Sequence, residues 1–558
     1  MLLAVFSLLA AAPTPLVSGA VRDQFGEPIA GAVVLAGSQQ TRTAADGTFV
    51  LHSGALSVRI ECRYCRPQTV SVDADGTVAA IVDRYDALSS SVPTARDIAA
   101  LPYARAESIV SLRPFTVLTD SKGIIPGPRT SLYGTLTPGL LIDAGIPMYE
   151  ATGGVSPYRT IPGFSTADVS VRDIEDAPLY GDLAGGGMFA VNELPASGSG
   201  ALALAGSQRG VRAWTATQPF SAALAAYADP FENTRRADAA AIETNPDLTL
   251  EGNAFAASDT SANNYVSLAS SVSAANVTLS ANRALHPYVT LWAQRASYAA
   301  QPYVTNASWS DSAIVAGVHT DGATQFFADA AAQTYSAAYG YGVPAFDSQA
   351  GTTQFRVDAG ARGITPAVSW QALVSAFDVE EREGEYAEPQ RGLAPSVRAA
   401  FDLSTQWTVL ASADDTWNVL PQQRIGQDRL QLEYSDLRRV KLGVSAVHEW
   451  TSPGTHTLAS SGVYAAWQIA PALSLRAWGM HFSDYTSASP GSAWLAYRPA
   501  SGITADLIWR RDLLDALQRE HVDASIALPL HGGLALFAAT EERGGRHYAS
   551  IGLRTAQP

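Results

Sequence analysis

The stretch Arg172-Asp-Ile-Glu-Asp-Ala-Pro-Leu-Tyr-Gly-Asp-Leu-Ala-Gly-Gly-Gly-Met-Phe-Ala-Val-Asn192 carries three consecutive glycines, Gly185 to Gly187. Glycine adopts positive φ without steric penalty and lets another backbone approach closely, so the run predicts a break between two short strands. The second of these strands is the apolar segment Met188 to Val191. A related segment lies upstream, Leu140-Leu-Ile-Asp-Ala-Gly-Ile-Pro-Met148, and predicts a buried strand that ends in a turn. From Ser199 onward the pattern of the sequence changes, so the glycine-rich stretch marks a boundary in the chain.

Composition excludes one large class of partners. The 558 residues carry a formal net charge of -15, and only 16% of them are charged. Because phosphate binding needs clustered Lys and Arg, nucleic acid is not an expected partner. The length allows about three or four ordinary domains, or one large barrel with appended domains.

The first residues predict secretion. Met1 to Ala12 form an apolar run that ends in Ala10-Ala-Ala12, and small residues in an A-x-A pattern suit signal-peptide cleavage. We therefore expect residues 1–15 to be a signal peptide. No later stretch reaches 18 consecutive apolar residues, so the sequence predicts no transmembrane helix.

From Ser199 to the end, apolar and polar residues alternate with a period of two. In one segment Val277 and Leu279 alternate with Asn276 and Thr278, and about 22 such runs of about eight to thirteen residues can be placed. One-faced alternation fits a soluble sandwich and a lipid-facing barrel equally well.

The connections between these runs separate the two alternatives. Short connections alternate with longer ones, as periplasmic turns and outer loops do in a membrane barrel. We therefore predict a transmembrane antiparallel β-barrel of about 22 strands over residues 199–558. The short connections are 320–322, 362–365, 404–406, 470–471, 499–502 and 531–533, and the longer ones are 299–308, 335–351, 379–393, 415–427, 484–491 and 511–518.

Tryptophans near the ends of predicted strands suit the aromatic girdles of such a barrel, although single tryptophans also occur there in soluble β-proteins. They are Trp292, Trp407, Trp450, Trp467, Trp494 and Trp509.

The N-terminal region predicts a small β-sandwich over residues 16–80. Val17 to Val34 contains two strands joined by a turn with Gly and Pro, and Asp46-Gly47 is a favoured hairpin dipeptide. Residues 81–100 include Ser89-Ser-Ser91 and are predicted to be a linker.

The two cysteines of the chain, Cys62 and Cys65, lie in this region. A Cys-x-x-Cys pair is typical of thioredoxin-like redox sites, but no βαβ pattern surrounds this one. A zinc site would need two further ligands, and no Cys or His stands nearby at a suitable spacing. We expect either a local structural disulfide or two small buried thiols.

Residues 140–148 and 172–192 resemble the plug domain of TonB-dependent outer-membrane receptors. There a strand of the type "liDGvp" is followed some thirty to forty residues later by "lyGs.a.GGvin". The N-terminal region resembles the carboxypeptidase regulatory-like (transthyretin-like) domain that often precedes such a plug. The resemblance implies a mainly β fold with three parts: a transthyretin-like β-sandwich, an α+β plug over residues 101–195, and the barrel.

Two Arg-Gly pairs that accompany these plug strands in the family are absent. One precedes "liDG", and the other belongs to "ieVlrGP", where this chain has Ile174-Glu-Asp-Ala-Pro178. In the family these arginines pair with carboxylates of the barrel and help to lock the plug. Their absence bears on how the plug is held and moved.

The resemblance implies a receptor in the cell outer membrane that captures a scarce, bulky nutrient, such as a metal chelate or an oligosaccharide, and imports it to the periplasm. Its expected partners are outer-membrane lipid, TonB and that ligand, and no cofactor or metal is expected. The alternative is a non-transporting outer-membrane barrel with an adhesive or structural role.

An enzyme is not expected. The zinc carboxypeptidases that share the N-terminal module need His-x-x-Glu, and none of the nine histidines is followed by Glu at that spacing. The sequence also lacks a G-x-S-x-G elbow, an H-E-x-x-H motif and a phosphate-binding loop.

The resemblance places the plug loop that follows Pro147 on the outward side. It makes Tyr149, Glu150, Tyr158 and Arg159 candidate ligand-binding residues.

Tyr339 and Tyr341 are further candidates on a predicted outer loop, Tyr335 to Gly342, where they could stack on a sugar ring or an aromatic chelator. A flexible loop tip without a ligand is the alternative. The acidic run Glu380 to Glu388 predicts either a cation-attracting loop or a solvated hairpin tip.

In the family a short apolar segment before the plug contacts TonB. Val78, Ile81 and Val82 are the candidates here, within Thr77 to Val82. The alternative is that this segment is the last strand of the sandwich.

Overall fold

The computed structural model describes most of the chain between residues 16 and 555. The residues it does not describe are 1–15, 24–27, 30, 37–38, 45, 63–67, 74, 83–100, 102–105, 121–127, 135–138, 144, 149–167, 173–186, 193–197, 207–208, 218, 230–232, 263–266, 282–284, 321–323, 342–346, 365–367, 384–385, 405, 421, 437–438, 454–456, 484–488, 513–519, 531–533, 544–545 and 556–558.

The N-terminal module is built from seven strands in two sheets, of order β4-β1-β7 and β3-β2-β5-β6. Alternate residues such as Phe49, Ile60 and Val78 point inward and form one buried core between the sheets. This arrangement agrees with the expected sandwich. The strands are β1 Leu16–Asp23, β2 Val33–Ala36, β3 Gln39–Arg42, β4 Thr48–His52, β5 Ser57–Glu61, β6 Gln68–Ser71 and β7 Thr77–Val82.

Two Asp-Gly-Thr turns begin the strands that flank β1. Asp46 Oδ1 accepts hydrogen bonds from Thr48 N (3.0 Å) and Thr48 Oγ1 (2.7 Å), and Asp75 accepts the same two bonds from Thr77. The threonine hydroxyls lower the pKa of both aspartates. The Asp46-Gly47 turn lies at the predicted position, but the predicted hairpin is wrong, because β3 and β4 on either side of the turn belong to different sheets.

Strand β7 extends two residues beyond the predicted end of this module. Val78 and Val82 are buried in the sandwich, whereas Ile81 is 64% exposed. Of the three candidate TonB contacts, only Ile81 presents its side chain to a partner while the strand stays in the sheet. The first two residues of the predicted linker 81–100 therefore belong to β7, and residues 83–100 lie outside the described residues.

Cys62 is disulfide-bonded. The only other cysteine in the sequence is Cys65, which lies outside the described residues.

The described residues between the module and the barrel form one short helix and two small sheets. The larger sheet has the order β11-β10-β13-β12, and β8 pairs with β9. Strands β10 and β13 are parallel neighbours, with Leu141 opposite Phe189, so the two stretches on which the family resemblance rests lie side by side. The elements are α1 Ala106–Val110, β8 Thr116–Asp120, β9 Pro128–Leu132, β10 Leu140–Asp143, β11 Ile146–Met148, β12 Asp168–Arg172 and β13 Met188–Asn192.

The remaining strands, β14 to β35, form a closed barrel of 22 strands, as predicted. Closure is antiparallel, with Leu204 of the first strand opposite Arg554 of the last. The strands are β14 Gly198–Gly206, β15 Arg209–Thr217, β16 Phe220–Asp229, β17 Thr234–Thr244, β18 Leu248–Ala262, β19 Ser267–Ala281, β20 Pro287–Gln301, β21 Val304–His319, β22 Thr324–Gly340, β23 Ser348–Ile364, β24 Val368–Glu383, β25 Tyr386–Asp402, β26 Trp407–Leu420, β27 Gln423–Ser435, β28 Val440–Ser452, β29 Thr457–Ala470, β30 Leu473–Phe482, β31 Gly491–Tyr497, β32 Thr504–Arg511, β33 Glu520–Pro529, β34 Leu534–Arg543 and β35 Arg546–Thr555.

The alternating residues of each strand divide between the two faces of the wall. On β19, Val277 and Leu279 are 48% and 46% exposed on the outer face. Asn276, which precedes Val277 on the same strand, is buried on the lumen side. An apolar outer face is what a lipid-facing barrel requires. Among the described residues, no helix has both the length and the apolar character needed to cross a membrane.

We name the two ends of the barrel by the direction in which the strands run. We call the end reached by the even-numbered strands the rim and the opposite end the base. The N-terminal module contacts the base, where Arg42 Nη2 donates a 3.3 Å hydrogen bond to the carbonyl of Asp436 between β27 and β28.

Four of the six predicted longer connections are wrong. Strands β20 and β21 are separated by only two residues, and so are β24 and β25. The strands reach 17 residues because pairing continues beyond the apolar band, as at the exposed Glu380–Arg382 pair. A prediction based on apolar alternation ends a strand where its outward residues become polar. The connections wrongly predicted to be long are 299–308, 335–351, 379–393 and 415–427.

The prediction of a tryptophan girdle is confirmed in part. Trp407, Trp467 and Trp509 are 41%, 48% and 37% exposed on the outer wall. Trp292 and Trp494 instead face the lumen and are 6% and 2% exposed. They belong to the apolar core that joins the wall to the segment inside the barrel.

Candidate functional site in the barrel lumen

The described residues between Leu101 and Asn192 pack against the inner face of the barrel wall, and we call this part of the chain the plug. Its apolar side chains and those of the inner wall form a single buried core. Phe115 of the plug packs 5.6 Å from Tyr464 and 6.4 Å from Trp478, measured between ring centroids. Gly462 on β29 makes room for this ring, since a Cβ there would lie 2.5 Å from Phe115 Cε1. The wall and the plug are therefore shaped to each other.

A buried ion pair joins the plug to the wall, and we call it the latch. Arg236 on β17 donates from Nη1 to Asp143 Oδ2 (2.7 Å) and from Nη2 to Asp143 Oδ1 (2.9 Å). Its Nε donates to Asp238 at 2.5 Å, and its guanidinium lies 4.3 Å from the ring centre of Phe255. The side chains of Arg236 and Asp143 are both 0% exposed. A two-pronged arginine–carboxylate contact of this kind fixes both distance and orientation.

Two further wall arginines donate to the plug. Arg429 Nη1 donates to the hydroxyl of Tyr133 at 2.5 Å, and Arg510 Nη1 donates to Ser111 Oγ at 3.2 Å. At the latch and at these two contacts the wall supplies the arginine, and the plug supplies a carboxylate or a hydroxyl.

The turn between β10 and β11 sits against the wall at two points. Gln294 Nε2 donates to the carbonyl of Pro147 at 2.8 Å. Gly145 has φ +77°, and a Cβ at this position would lie 2.6 Å from Asn276 Nδ2. Only glycine combines that backbone conformation with that approach.

Above this turn, toward the rim, the inner wall carries an aromatic group that we call the tyrosine patch: Trp309, Tyr335, Tyr339 and Tyr341. The ring centroids of Trp309 and Tyr335 are 6.2 Å apart, and those of Tyr339 and Tyr341 are 6.5 Å apart. The hydroxyls of Tyr335 and Tyr339 are 3.5 Å apart. Tyr339 is 6% exposed and Tyr341 is 37% exposed.

The two tyrosines predicted on an outer loop thus lie at the rim end of a strand. Tyr339 is part of β22, and Tyr341 follows its last residue. Only residues 341–347 separate β22 from β23. The patch is therefore a feature of the wall more than of a loop.

The other four predicted ligand-binding residues, Tyr149, Glu150, Tyr158 and Arg159, lie outside the described residues. The first of them directly follows Met148, the last residue of β11. Chain connectivity thus brings Tyr149 within two residues of Pro147, which Gln294 contacts below the tyrosine patch.

The latch residues were not singled out from the sequence. One signal was present: Asp143 ends the otherwise apolar run Leu140-Leu-Ile, and a buried carboxylate needs a partner. Nothing in the sequence identified Arg236 as that partner. Over the described part of the chain, no group of three or more His, Cys, Asp or Glu is arranged to hold a metal ion.

No protein-family model matches the chain, and no curated protein matches it by sequence. Solved structures do match. The alcaligin outer-membrane receptor FauA from Bordetella pertussis is 11% identical with a TM-score of 0.63, covering 83% of this chain and 93% of that one. The FrpB iron transporter from Neisseria meningitidis is 9% identical with a TM-score of 0.65, covering 84% and 99%. The copper transporter OprC is 10% identical with a TM-score of 0.64, covering 81% and 96%.

At these identities the likeness shows the fold. The resemblance to TonB-dependent outer-membrane receptors is confirmed at that level, with the 22-strand barrel they share. The barrel and its apolar outer wall are those of an outer-membrane protein, as predicted. The matched structures are named as receptors and transporters.

Proposed function

We propose that the chain is an import receptor of the outer membrane, closed by its plug until energy delivered through TonB moves the plug. The observation that carries this proposal is the latch. A plug that is packed into the wall and tied by a buried ion pair seals a lumen that wall side chains alone cannot fill, since barrels of about 22 strands need a plug.

The ligand would be captured at the rim, by the tyrosine patch together with the plug loop after Met148. Aromatic side chains there offer flat faces for rings, and Tyr149, Glu150, Tyr158 and Arg159 remain candidates on the plug side. A scarce, bulky nutrient such as a metal chelate or an oligosaccharide is the substrate class we propose. Receptors for alcaligin, iron and copper share the fold.

TonB would act on the segment between the sandwich and the plug. Because Val78 and Val82 are buried in the module, direct contact by these residues requires β7 to leave its sheet. Ile81 is available without that change. We therefore propose that coupling involves Ile81 and the residues that follow it.

One observation favours the alternative, a non-transporting barrel with an adhesive or structural role. No rim connection is longer than eight residues by the strand bounds, so little chain is available to close over a captured ligand. This alternative keeps the plug as a permanent stopper.

The experiment that separates the two has two stages. The full chain is first purified from its native outer membrane, and solutes that stay bound are identified by mass spectrometry. Uptake of the identified solute, isotopically labelled, is then measured in cells with and without TonB. Uptake that stops without TonB supports the receptor. Surface binding that never becomes uptake, with or without TonB, supports the stopper instead.

A further inference from the structure

The wall sector that carries the tyrosine patch has an unusual charge. Between Pro287 and Asp347 the sequence contains one arginine, Arg295, and no lysine. Arg295 belongs to the exposed outward positions of β20, on the same face as Leu291. The lumen side of this sector carries Asp311 and, nearer the base, Asp329, and Asp347 lies at the rim end of the sector. Within the described strands of this sector, no Arg or Lys side chain therefore faces the part of the lumen in front of the tyrosine patch, which we call the vestibule.

Two of these carboxylates, Asp311 and Asp347, are held by neutral groups. Asp311 accepts hydrogen bonds from the amides of Gln294 (3.3 Å) and Gln333 (3.0 and 3.2 Å). Asp347 Oδ1 accepts the backbone N–H of Tyr341 at 3.0 Å. On the neighbouring strand, Arg356 is committed to Asp358 at 2.6 Å. Asp311 and Asp347 are positioned without an arginine.

The residues of the connections themselves differ in charge between the two ends of the barrel, counted without strand-end residues such as Arg382, Arg424 and Arg511. The eleven rim connections contain six carboxylates and one arginine, a net charge of 1 − 6 = −5 with histidine neutral. The ten base connections contain four arginines and three carboxylates, a net charge of 4 − 3 = +1. An opening lined by one sign of charge concentrates ions of the opposite sign and repels its own.

The exposed faces of tyrosine rings add a preference for cations and for flat rings. The ring of Tyr341 is partly exposed beside Asp347, and Tyr303, 54% exposed, lies on the neighbouring connection. Electron-rich aromatic faces attract cations and stack on flat rings. Carboxylates next to such faces favour a ligand that has both features.

We propose that this vestibule selects positively charged, ring-bearing solutes and discriminates against anionic chelates. The proposal rests on the proposed import function, because it names the class of solute that the receptor captures. In this proposal Tyr335 and Tyr341 contact the ring of the solute. Asp347 and the net negative charge of the rim connections attract its positive charge.

The test compares two probes that share a two-ring aromatic frame and differ in charge: N-methylquinolinium, a permanent cation, and quinaldate, an anion. Binding to the full chain in detergent is measured by titration calorimetry. We expect the cation to bind at least tenfold more tightly, and this preference to shrink as salt is raised.

Matched variants locate the site. Asp347→Asn keeps the oxygen that accepts the Tyr341 N–H but removes the charge. It should weaken cation binding by about threefold, which is the size of effect expected from one solvent-screened surface charge. Tyr341→Ser should weaken both probes. Asp247→Asn removes an exposed carboxylate from the base and should change neither.

Equal or tighter binding of quinaldate, binding of neither probe, or an equal effect of Asp247→Asn and Asp347→Asn would overturn the proposal. Heat-modifiable migration of each variant shows that its barrel is folded. The import function is judged separately by the TonB-dependent uptake experiment, so either idea can fail without the other.

Discussion

Replacing Arg236 by methionine removes the cation of the latch and keeps most of its aliphatic volume. The side chain is 0% exposed and contacts Asp143 through two hydrogen bonds of 2.7 and 2.9 Å. After the replacement, the carboxylates of Asp143 and Asp238 stay in the buried site without that guanidinium. The substitution therefore tests whether the latch holds the plug.

The expected size follows from burial. Removing one partner of a buried ion pair costs about 3–5 kcal/mol, because the remaining charge is left desolvated. No discount for solvent screening applies, since both side chains are fully buried. Asp143→Asn should cost less, about 1.5–3 kcal/mol, because Arg236 keeps its 2.5 Å contact with Asp238 and only a charge-assisted hydrogen bond is weakened.

Hydrogen–deuterium exchange with mass spectrometry measures local opening of the plug directly. The peptides to follow contain β10 and β13, whose paired backbones hold Asp143 in place. Since 1.4 kcal/mol corresponds to a tenfold change, Arg236→Met should speed their exchange by roughly a hundredfold to a few thousandfold. Asp143→Asn should speed it by roughly tenfold to a hundredfold.

Arg424→Met is the matched control. Arg424 pairs with Asp415 on the outer wall, and its side chain is 50% exposed, so the exchange of β10 and β13 should change by less than about threefold. If Arg236→Met also leaves their exchange within threefold of wild type, the latch does not hold the plug and the reasoning from buried charge is wrong here.

Three further predictions concern other parts of the chain. Gly145→Ala should loosen the turn between β10 and β11 by about 1–3 kcal/mol, seen as faster exchange in Ile146–Met148, because the new Cβ would lie 2.6 Å from Asn276 Nδ2; unchanged exchange would contradict the close approach. Replacing Cys62 and Cys65 by serine should destabilise the N-terminal module by about 2 kcal/mol in thermal unfolding while barrel assembly persists; loss of assembly would count against a local structural role. Deleting residues 101–195 should turn a closed protein into one with large steady conductance in planar bilayers, and equal low conductance from a folded deletion barrel would mean that the plug blocks nothing.

The architecture could be predicted from two separate features of the sequence. They are the short apolar strands beside glycines in the plug and the apolar–polar alternation after Ser199. Two short apolar strands beside glycines were predicted in this region, and the structure pairs them as β10 and β13, with Leu141 opposite Phe189. The strand number followed from alternation alone, since each crossing of the wall needs one alternating run. Strand length did not follow, because polar residues such as Glu380 and Arg382 continue the pairing above the apolar band.

The candidate site was harder to predict because its contacts join distant parts of the chain. Asp143 and Arg236 are 93 residues apart, and Tyr133 and Arg429 are 296 apart. Arg236 directly follows Arg235, and Arg429 directly follows Asp428, so the charge pattern alone does not say which of these side chains faces the lumen. Which of them meets the plug depends on the register of the barrel, and register is a property of the assembled sheet.

The inward-facing tryptophans show why alternation alone cannot tell the two faces of this wall apart. In a water-filled barrel the lumen face is polar, so an aromatic residue is assigned to the lipid side. Here the lumen holds a plug with apolar side chains such as Phe115, and burial of that surface needs apolar partners on the wall. Trp478 and Trp494 supply them, at positions where the polar half of the alternation would be expected. A stretch of wall whose inward residues are also apolar therefore marks a place where the wall contacts the plug.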